Sequence, residues 1–412
     1  MICLGLDWAE DHHDIALMTE AGELLAEFRI DDNMEGVERI HIAVSPYVSQ
    51  PSDVAIGTES TNGLVIQALV AAGYMVHEIN PLASSRYRGR HQLSGAKSDR
   101  GDAKMLADVV RTDRHNHSSY VGNSDLSGAI KVLARAHQTM VHQRQTQLNE
   151  LRSTLRQYYP ALLRAFPELA APSTRDCPDA MAVLERASTP AQAMMLSQLQ
   201  IASALRKGGR KRDIDRRAGQ VREALQVPHL AAPPIVTKAY GNAARATARV
   251  VRSMTEQIDE LVQELNSRFE EHPDAKIIRS LPGLGPVLGA RVLGEFGDAP
   301  NRYDNAKARK NYATTSPVTR ASGKLRLVNA RHGGNRHLGE SCLRSAFIAV
   351  NTSPGARRYY EALRRRDKTH AQAIRSVANR MVGILHGCLA KGVLYDEGIA
   401  WPQLEATREA AA

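Results

Sequence analysis

Paired cysteines and long apolar runs are what this sequence lacks. Its four cysteines (Cys3, Cys177, Cys342 and Cys388) show neither C-x-x-C nor Cys/His spacing, so they indicate no zinc site and no disulfide framework. The longest apolar runs, such as GLVIQALVAAGYMV, are shorter than the ~20 residues that a membrane span needs. The N-terminus MICLGLDWAED has no basic segment before its apolar residues. We therefore expect reduced thiols and a cytoplasmic, bacterial, nucleoid-associated protein without a membrane partner.

Basic residues are in excess. The chain of 412 residues has 54 Lys and Arg against 44 Asp and Glu, which gives a formal net charge of +10. Such a charge favours a polyanionic partner, although a solvated surface explains it equally well. The basic residues concentrate in RYRGRH (86–91), RKGGRKRDIDRR (206–217) and RYDNAKARK (302–310). This clustering makes nucleic acid the candidate partner.

The first 118 residues alternate strand-like and helix-like segments. ICLGLD, DIALMTE and LLAEFRI show apolar alternation and are separated by short turns, which predicts three strands joined by hairpins. A helix around MEGVERIHIAVSPYV, a strand DVAIGTE, a helix LVIQALVAAG, a strand MVHEIN and a further helix follow. The order βββαβαβα predicts an α/β domain with a mixed sheet at residues 1–118.

Helices dominate the rest of the chain. Apolar residues recur with helical spacing from Leu126 to Leu155, and with strict a/d spacing from Val251 to Leu265. These two stretches predict a coiled coil, formed either within one chain or between chains, in a helical region at 119–275. Between them, residues 160–240 are rich in Ala, Pro and Arg and predict helix in short pieces.

The segment IIRSLPGLGPVLGARVLGEFGD (277–298) has a helix-hairpin-helix pattern. Gly283 and Gly285 predict a tight turn, after which a helix presents its N-terminal amides to a phosphate oxygen. A plain glycine turn between packed helices fits the same residues. This segment begins a mainly helical C-terminal domain predicted at 276–355, which is followed by a helical segment at 356–412.

Four acidic residues occupy positions that a fold of this order brings together. Asp7 ends the first strand and Glu59 ends the fourth, and these strands are predicted neighbours at the sheet centre. Asp99 and Asp102 are three residues apart, so they share one face of a helix. Carboxylates that converge without an evident cationic neighbour repel each other, and divalent cations remove that cost. The alternatives are a two-metal site for phosphodiester cleavage and an ordinary solvated helix face.

Several motifs together resemble a known family. GLDWAEDHHDIAL, IGTESTNGL, INPLASSRYR and KSDRGDAKMLA resemble the N-terminal domain of the DEDD transposases of insertion sequences of the 110 family, relatives of the pilin-gene invertases. PGLGPVLGARVLGEFGD, SPVTRASGK and ARHGGNRHLGESCLRSAF resemble their C-terminal domain. The resemblance spans nearly the whole chain in the same order. It implies an N-terminal fold like ribonuclease H and Holliday-junction resolvases, and a recombinase that cuts and rejoins DNA.

The resemblance also implies residue roles and partners. The nucleophile is Ser322 in TRASGK, in a composite site of the two domains, and the cofactor is Mg²⁺ or Mn²⁺. A noncoding bridge RNA pairs donor and target DNA, and dimers pair into tetramers. From the residues alone, Ser322 is a turn serine beside Gly323, and Ser316 competes with it. The implied metal ligands are Asp7, Glu59, Asp99 and Asp102.

Two other functions fit the residues without the family. One is a resolvase-like nuclease whose acids activate water, and the other is a nucleic-acid-binding protein without catalysis. Three basic groups are candidate contacts to nucleic acid: a face of the first long helix, which a solvated surface explains equally well, an arm at 206–217 that orders on binding, and a group after Ser322 that holds the scissile phosphate. The tentative contacts are Arg135, Arg144, Arg152, Arg156, Arg210, Lys211, Arg212, Gly283, Gly285, Arg331, Asn335 and Arg336.

Overall fold

The computed structural model describes residues 1–61, 63–91, 98–117, 119–120, 122–170, 177–300, 302–323 and 325–402. Its contacts divide the chain into two compact units. Unit 1 comprises residues 1–124 and 298–304, and unit 2 comprises residues 125–297 and 305–412. The segments predicted at 119–275, 276–355 and 356–412 thus fall in unit 2, apart from 119–124 and 298–304.

Unit 1 is built on a five-stranded mixed sheet with the order β3-β2-β1-β4-β5. Strands β1, β2 and β3 are antiparallel, whereas β4 is parallel to both β1 and β5. The predicted order βββαβαβα is confirmed, and α3 is an additional helix that was not predicted. The elements are β1 (Ile2–Trp8), β2 (His12–Thr19), β3 (Leu24–Asp31), α1 (Met34–Val44), β4 (Val54–Thr58), α2 (Leu64–Ala71), β5 (Met75–Glu78), α3 (Pro81–His91) and α4 (Asp99–Asp113).

The two faces of this sheet carry different helices. Leu6 and its neighbours pack with α1 and α2 in one core. On the other face, α4 lies directly on glycines of the central strands. A Cβ at Gly5 would overlap the carbonyl oxygen of Ala103, and one at Gly57 would overlap the side chain of Val110. Only glycine permits this close approach, which brings α4 onto β1 and β4.

Two long antiparallel helices organise unit 2. Tyr158 near the end of the first stacks on Tyr240 near the start of the second, with ring centroids 5.5 Å apart. Further along, Arg144 donates to Thr255 Oγ1 at 3.0 Å. The two helices therefore pack against each other within the chain, and the coiled coil stays a prediction. The helices are α5 (Asp125–Tyr158) and α12 (Pro234–Glu271).

Short helices fill the sequence between these two, as predicted. Their apolar side chains share one core with α5 and α12. Proline begins four of them, because the first helical position needs no amide hydrogen. The helices are α6 (Pro160–Ala165), α7 (Pro167–Ala170), α8 (Pro178–Arg186), α9 (Pro190–Met194), α10 (Gln198–Lys207) and α11 (Ile214–Gln226).

The C-terminal part of unit 2 contains the predicted glycine turn and a hairpin that was not predicted. Gly283 has φ +78°, and a Cβ there would overlap the carbonyl oxygen of Ser345. No helix in the described part of the chain is both long and apolar enough to cross a membrane. The elements are α13 (Ala275–Ser280), α14 (Pro286–Phe296), α15 (Ala306–Tyr312), β6 (Val318–Ser322), β7 (Leu325–Asn329), α16 (Arg336–Thr352), α17 (Pro354–Arg364), α18 (His370–Lys391) and α19 (Glu397–Ala400).

Candidate active site

Two of the predicted acids lie at the same end of the unit 1 sheet. Leu6 of β1 pairs with Thr58 of the parallel strand β4. Asp7 and Glu59 are the next residues along these neighbouring strands, as predicted. Because side chains alternate between faces along a strand, Asp7 belongs to the glycine face, which α4 covers, and Glu59 follows the last residue of β4 at the same end.

The other two predicted acids lie in the first turn of α4. The hydroxyl of Ser98 caps this helix and accepts a hydrogen bond from the amide of Gly101 at 3.1 Å. Asp102 is buried, with 6% of its surface exposed, whereas the side chain of Asp99 is exposed. Negative charge is favourable at this end of a helix because the free amides point toward it.

Two further ligand candidates on β2 were not predicted. Asp14 pairs directly with Asp7 across β1 and β2, and it is buried. One ligand atom from each of His12, Asp14 and Asp99 lies within 4.8 Å of the other two. Among the residues that the structure describes, this is the only such group of three. The signal for these two ligand candidates in the sequence was the segment DHHD, which contains both and whose last residue the predicted hairpin places opposite Asp7.

Two arginines lie among these acids, so the prediction that they lack a cationic neighbour is wrong. Arg29 of β3 donates to both carboxylate oxygens of Asp14, from Nη2 at 2.7 Å and from Nε at 3.3 Å. Its Nη2 is also 3.7 Å from Asp99 Oδ2. Arg88 Nη2 lies 2.6 Å from Asp102 Oδ1. Arg29 lies on β3 and Arg88 lies on α3. Their contacts with the acids depend on the tertiary fold, so the local sequence did not reveal them.

Helix α3 holds two of the predicted ligands in place. Ser84 and Arg88 are one helical turn apart, so they project from the same face. Ser84 Oγ donates a hydrogen bond to Glu59, and Arg88 pairs with Asp102. The carboxylates are thus oriented by protein groups at the end of the sheet.

The donor set fits a divalent cation. Carboxylate oxygens are hard ligands of the kind that Mg²⁺ and Mn²⁺ prefer. His12 adds an imidazole nitrogen beside Asp14 and Asp99, a ligand that suits transition-metal ions better than Mg²⁺. This end of the sheet is therefore a candidate metal centre.

Ser322 is the last residue of β6, at the tip of the unit 2 hairpin. It pairs with Leu325 of β7, and Gly323, with φ +54°, begins the turn. Ser322 is exposed, and its hydroxyl forms no hydrogen bond with the described residues. Ser316 Oγ, in contrast, is 3.4 Å from Asn379 Oδ1. The structure therefore distinguishes the two serines, which the residues alone did not.

The arginines of α5 are mostly engaged inside unit 2. Arg135 donates to Glu295 through Nε and Nη2, at 2.7 and 2.9 Å. Arg144 and Arg152 are buried, where they donate to a threonine of α12 and to a main-chain carbonyl. Arg156 is exposed. Of the four predicted contacts, Arg156 is exposed, Arg135 is part-exposed in its ion pair, and the other two are buried.

The basic segment at 206–217 is folded, so the prediction of an arm that orders on binding is wrong. It comprises the end of α10, a short turn and the start of α11. Arg210 Nε donates to Asp179 at 2.6 Å and anchors this turn to α8. Lys211 and Arg212 are exposed. These two side chains present positive charge to solvent.

Asn335, a predicted phosphate contact, forms hydrogen bonds inside unit 2. Its Oδ1 accepts from the amide of Leu338 and caps α16, while its Nδ2 donates to Glu295 Oε2 at 2.6 Å. Burial alone would raise the pKa of Glu295, but the hydrogen bonds from Arg135 and Asn335 lower it below its ordinary value. Glu295 is therefore ionised and joins α5 to the start of α16.

A basic groove of about 1140 Å³ opens in unit 2 between α5, α14, α16 and α18. Arg331 and Arg336 were predicted contacts, and the other arginines were not. Glu340 is the one acid in the lining that the structure describes. The starts of α14 and α16 both face this groove, through Val287 and Arg336. Its arginines are Arg291, Arg331, Arg336, Arg344 and Arg375.

Arg291 is a buried cation in this groove. It is 5% exposed and forms no ion pair with the carboxylates of the described residues. Its Nη2 donates to His137 Nδ1 at 3.2 Å, and its Nε has no hydrogen-bond partner in the part of the chain that the structure describes. Burial lowers the pKa of Arg291 to about 10. Burial, followed by the charges of Arg291 and Arg144, lowers the pKa of His137 to about 4, so His137 is a neutral acceptor at pH 7.

We expect His137 to make unit 2 sensitive to acid. Its pKa is about 4 when folded and 6.5 in a solvated chain, so between these values the unfolded state binds an extra proton. Stability therefore falls as the pH drops from 6.5 toward 4, by on the order of 2 kcal/mol at pH 5. Urea unfolding at pH 7.5 and at pH 5 measures this loss. The fall in the free energy of unfolding between the two pH values should be smaller in His137→Asn than in wild type by this amount.

Exposed His332 supplies the matched control, because His332→Asn changes a ring that already contacts water. An equal loss of stability in wild type and His137→Asn would contradict the assignment of a neutral, buried His137.

Two family models match the chain. A DEDD model of the IS110 type, described as a transposase, matches residues 4–160, and the model of the IS116/IS110/IS902 transposase family matches residues 275–361. The chain is also 40% identical over 401 residues to a Streptomyces coelicolor protein named for transposition of the IS117 mini-circle, with 97% of this chain and 96% of the relative covered. The chain belongs to the IS110/IS116 family of transposases.

Other relatives align with this transposase over similar lengths. A protein of insertion element IS116 from Streptomyces clavuligerus is 29% identical over 403 residues, covering 94% of each chain. A protein of insertion element IS110 from Streptomyces coelicolor is 26% identical over 408 residues, covering 96% of this transposase and 95% of the relative. The matched segments include the acids of unit 1 and, in unit 2, Ser322. A transposase acts on DNA, and membership of the DEDD type indicates dependence on a divalent metal.

Proposed function

We propose that this transposase cuts and rejoins DNA through a covalent bond to Ser322, with Mg²⁺ or Mn²⁺ bound by acids of unit 1. The observation that carries the proposal is the gathering of carboxylates at one end of the unit 1 sheet. A noncoding bridge RNA selects the DNA, and the working form is a dimer that pairs into a tetramer. The proposed metal ligands are Asp7, Glu59, Asp99 and Asp102, with Asp14 beside them.

The carboxylates suit phosphodiester chemistry. Divalent ions held by them supply polarisation of the scissile phosphate and offset its charge. Ser84 and Arg88 orient two of these carboxylates through direct contacts. Arg29 holds Asp14 in the same way. Preorganised side chains of this kind reduce the reorganisation that the reaction needs.

Ser322 supplies an exposed hydroxyl for the covalent step. Its Oγ attacks phosphorus and loses its proton to water or a base, and an Oγ–P bond forms. The bond between phosphorus and one deoxyribose oxygen breaks, and this oxygen leaves as a hydroxyl after taking up a proton. A DNA hydroxyl that attacks the phosphoserine reverses the step and reseals a strand, so the bond energy is conserved.

Guidance by RNA is proposed from the family resemblance, and surface charge supports it. Lys211, Arg212 and Arg156 are exposed on unit 2, and the basic groove adds further cations. Contacts of this type bind phosphates and weaken with salt. The same surface suits donor and target DNA.

A metal-dependent nuclease without a covalent intermediate is the second candidate. It is favoured by the group of His12, Asp14 and Asp99, because those ligand atoms come together without any contribution from Ser322. In this alternative the acids activate water, and Ser322 is a turn residue.

A cleavage assay distinguishes the two. Purified transposase is incubated with Mg²⁺, RNA transcribed from the element's flank and labelled DNA spanning the joined element ends, and products are resolved on denaturing gels before and after protease treatment. We expect a slow band that protease collapses and that EDTA prevents. Free nicked DNA without such a band would establish the nuclease instead. Undiminished cleavage without RNA would remove the guide from the proposal.

A further inference from the structure

We propose that the basic groove of unit 2 binds an unpaired nucleic-acid strand, with a phosphate at Arg291 and a base against Phe347. The inference rests on the proposed function only in taking nucleic acid as the partner. It requires neither Ser322 nor a bound metal.

The charge of the groove is strongly positive. Five arginines line it against a single acid, Glu340. That carboxylate is already neutralised, since Arg344 Nη2 lies 2.8 Å from it and Gln138 donates to it at 2.6 Å. The other arginines therefore retain their charge for a ligand. A polyanion is the partner that this lining complements.

Arg291 identifies where an anion is missing. Arg291 is 5% exposed, yet among the described residues its one hydrogen-bond partner is His137, whose low pKa keeps the ring neutral at pH 7. Glu340 attracts Arg291 through space and raises its pKa, against the larger effect of burial, but no carboxylate of the described residues pairs with it directly. A buried cation without such a pair destabilises a fold. A phosphate oxygen in the groove would supply that partner, and guanidinium groups bind phosphates with two parallel hydrogen bonds.

An apolar wall beside the arginines favours single strands over duplex. Phe347 is 54% exposed and Ile348 is 40% exposed, and both line the groove together with Leu343. Exposed aromatic rings next to cations bind the faces of bases, which a duplex hides inside its stack. Arg291 is also recessed, and the phosphates of a convex duplex cannot enter a groove as a flexible single strand can.

Binding without cleavage tests this inference. Fluorescence anisotropy in EDTA is measured for a labelled pyrimidine 12-mer as DNA, the same 12-mer as RNA, and a 12-base-pair duplex. The variants are Arg291→Met and Phe347→Ala, and Arg365→Gln changes an exposed arginine outside the groove. We expect Phe347→Ala to weaken single-strand binding by about 5- to 100-fold. Arg291→Met should lower the slope of log affinity against log salt by ~0.7, and Arg365→Gln should change neither.

Thermal melting separates a binding role of Arg291 from a structural one. Methionine has a similar length and no charge, so Arg291→Met should preserve or raise the melting temperature while it weakens binding. A lower melting temperature with unchanged binding would overturn the inference. So would single-strand affinities that match wild type in both Arg291→Met and Phe347→Ala, or a wild-type preference for the duplex.

The RNA and DNA arms identify the strand. Tighter binding of RNA indicates that the guide occupies the groove, and tighter binding of DNA indicates an unpaired DNA strand. Because EDTA prevents cleavage, failure of the covalent mechanism would leave these binding results unchanged.

Discussion

Asp102→Asn is expected to reduce DNA cleavage by roughly 10³-fold, the equivalent of about 4 kcal/mol of transition-state stabilisation. Asp102 is a buried carboxylate in the first turn of α4, and asparagine keeps its shape while it removes the charge that a metal ion needs. Single-turnover cleavage measures the loss, and isothermal titration with Mn²⁺ should show weaker binding by the same variant.

Two further variants serve as controls for this result. Arg88→Met removes the guanidinium that contacts Asp102 but keeps the carboxylate, so Mn²⁺ binding should be retained or strengthened. Asp31→Asn changes an exposed acid at the end of β3 and should behave as wild type in both assays. Cleavage by Asp102→Asn at the wild-type rate would show that the acids of unit 1 are not the metal centre of the reaction.

Ser322→Ala is expected to abolish the protein–DNA adduct completely. No other hydroxyl at this tip replaces the one that forms the Oγ–P bond. The substitution should not disturb the fold, because Ser322 is exposed and pairs with Leu325 through its backbone. Quantifying the protease-sensitive band in the cleavage assay measures the effect.

Ser316→Ala is the matched control for this substitution. Ser316 lies six residues earlier in the chain, and its hydroxyl contacts Asn379 instead of facing solvent. This variant should form the adduct at close to the wild-type level. Adduct formation by Ser322→Ala would contradict the assignment of the nucleophile.

Local patterns were sufficient to predict the sheet of unit 1. Short turns between three alternating segments specify antiparallel hairpins, and a helical connection between strands specifies parallel pairing. These rules made β1 and β4 neighbours and placed Asp7 and Glu59 at one end. The hairpin of β1 and β2 also places Asp14 opposite Asp7. Predicting this pair requires the exact register of the two strands.

Contacts between distant segments were not predictable in this way. Helix α3 (PLASSRYRGRH) has little apolar periodicity, so neither the helix nor its Arg88 contact with Asp102 was expected. The sequence left Arg135 as either a nucleic-acid contact or a solvated helix residue, and its partner Glu295 is 160 residues away. Periodicity shows which face of a helix is apolar, and it does not show which charges find buried partners.

The hairpin β6–β7 was missed for a different reason. Most of its residues are exposed on both faces, so burial does not impose the alternation that reveals a strand. Sequence alone therefore left Ser322 and Ser316 equivalent, and only the family resemblance separated them. Arg291 was also not predicted, but here the sequence contains a signal, because VLGARVLGEF places a single arginine in an otherwise mainly apolar helix.

Mapping the covalent bond identifies the residue that attacks DNA. The adduct formed with Mg²⁺ is digested with nuclease and protease, and the peptides are sequenced by tandem mass spectrometry. We expect a nucleotide linked through phosphate to the hydroxyl of Ser322. A nucleotide on any other residue, or cleaved DNA with no modified peptide, would contradict it.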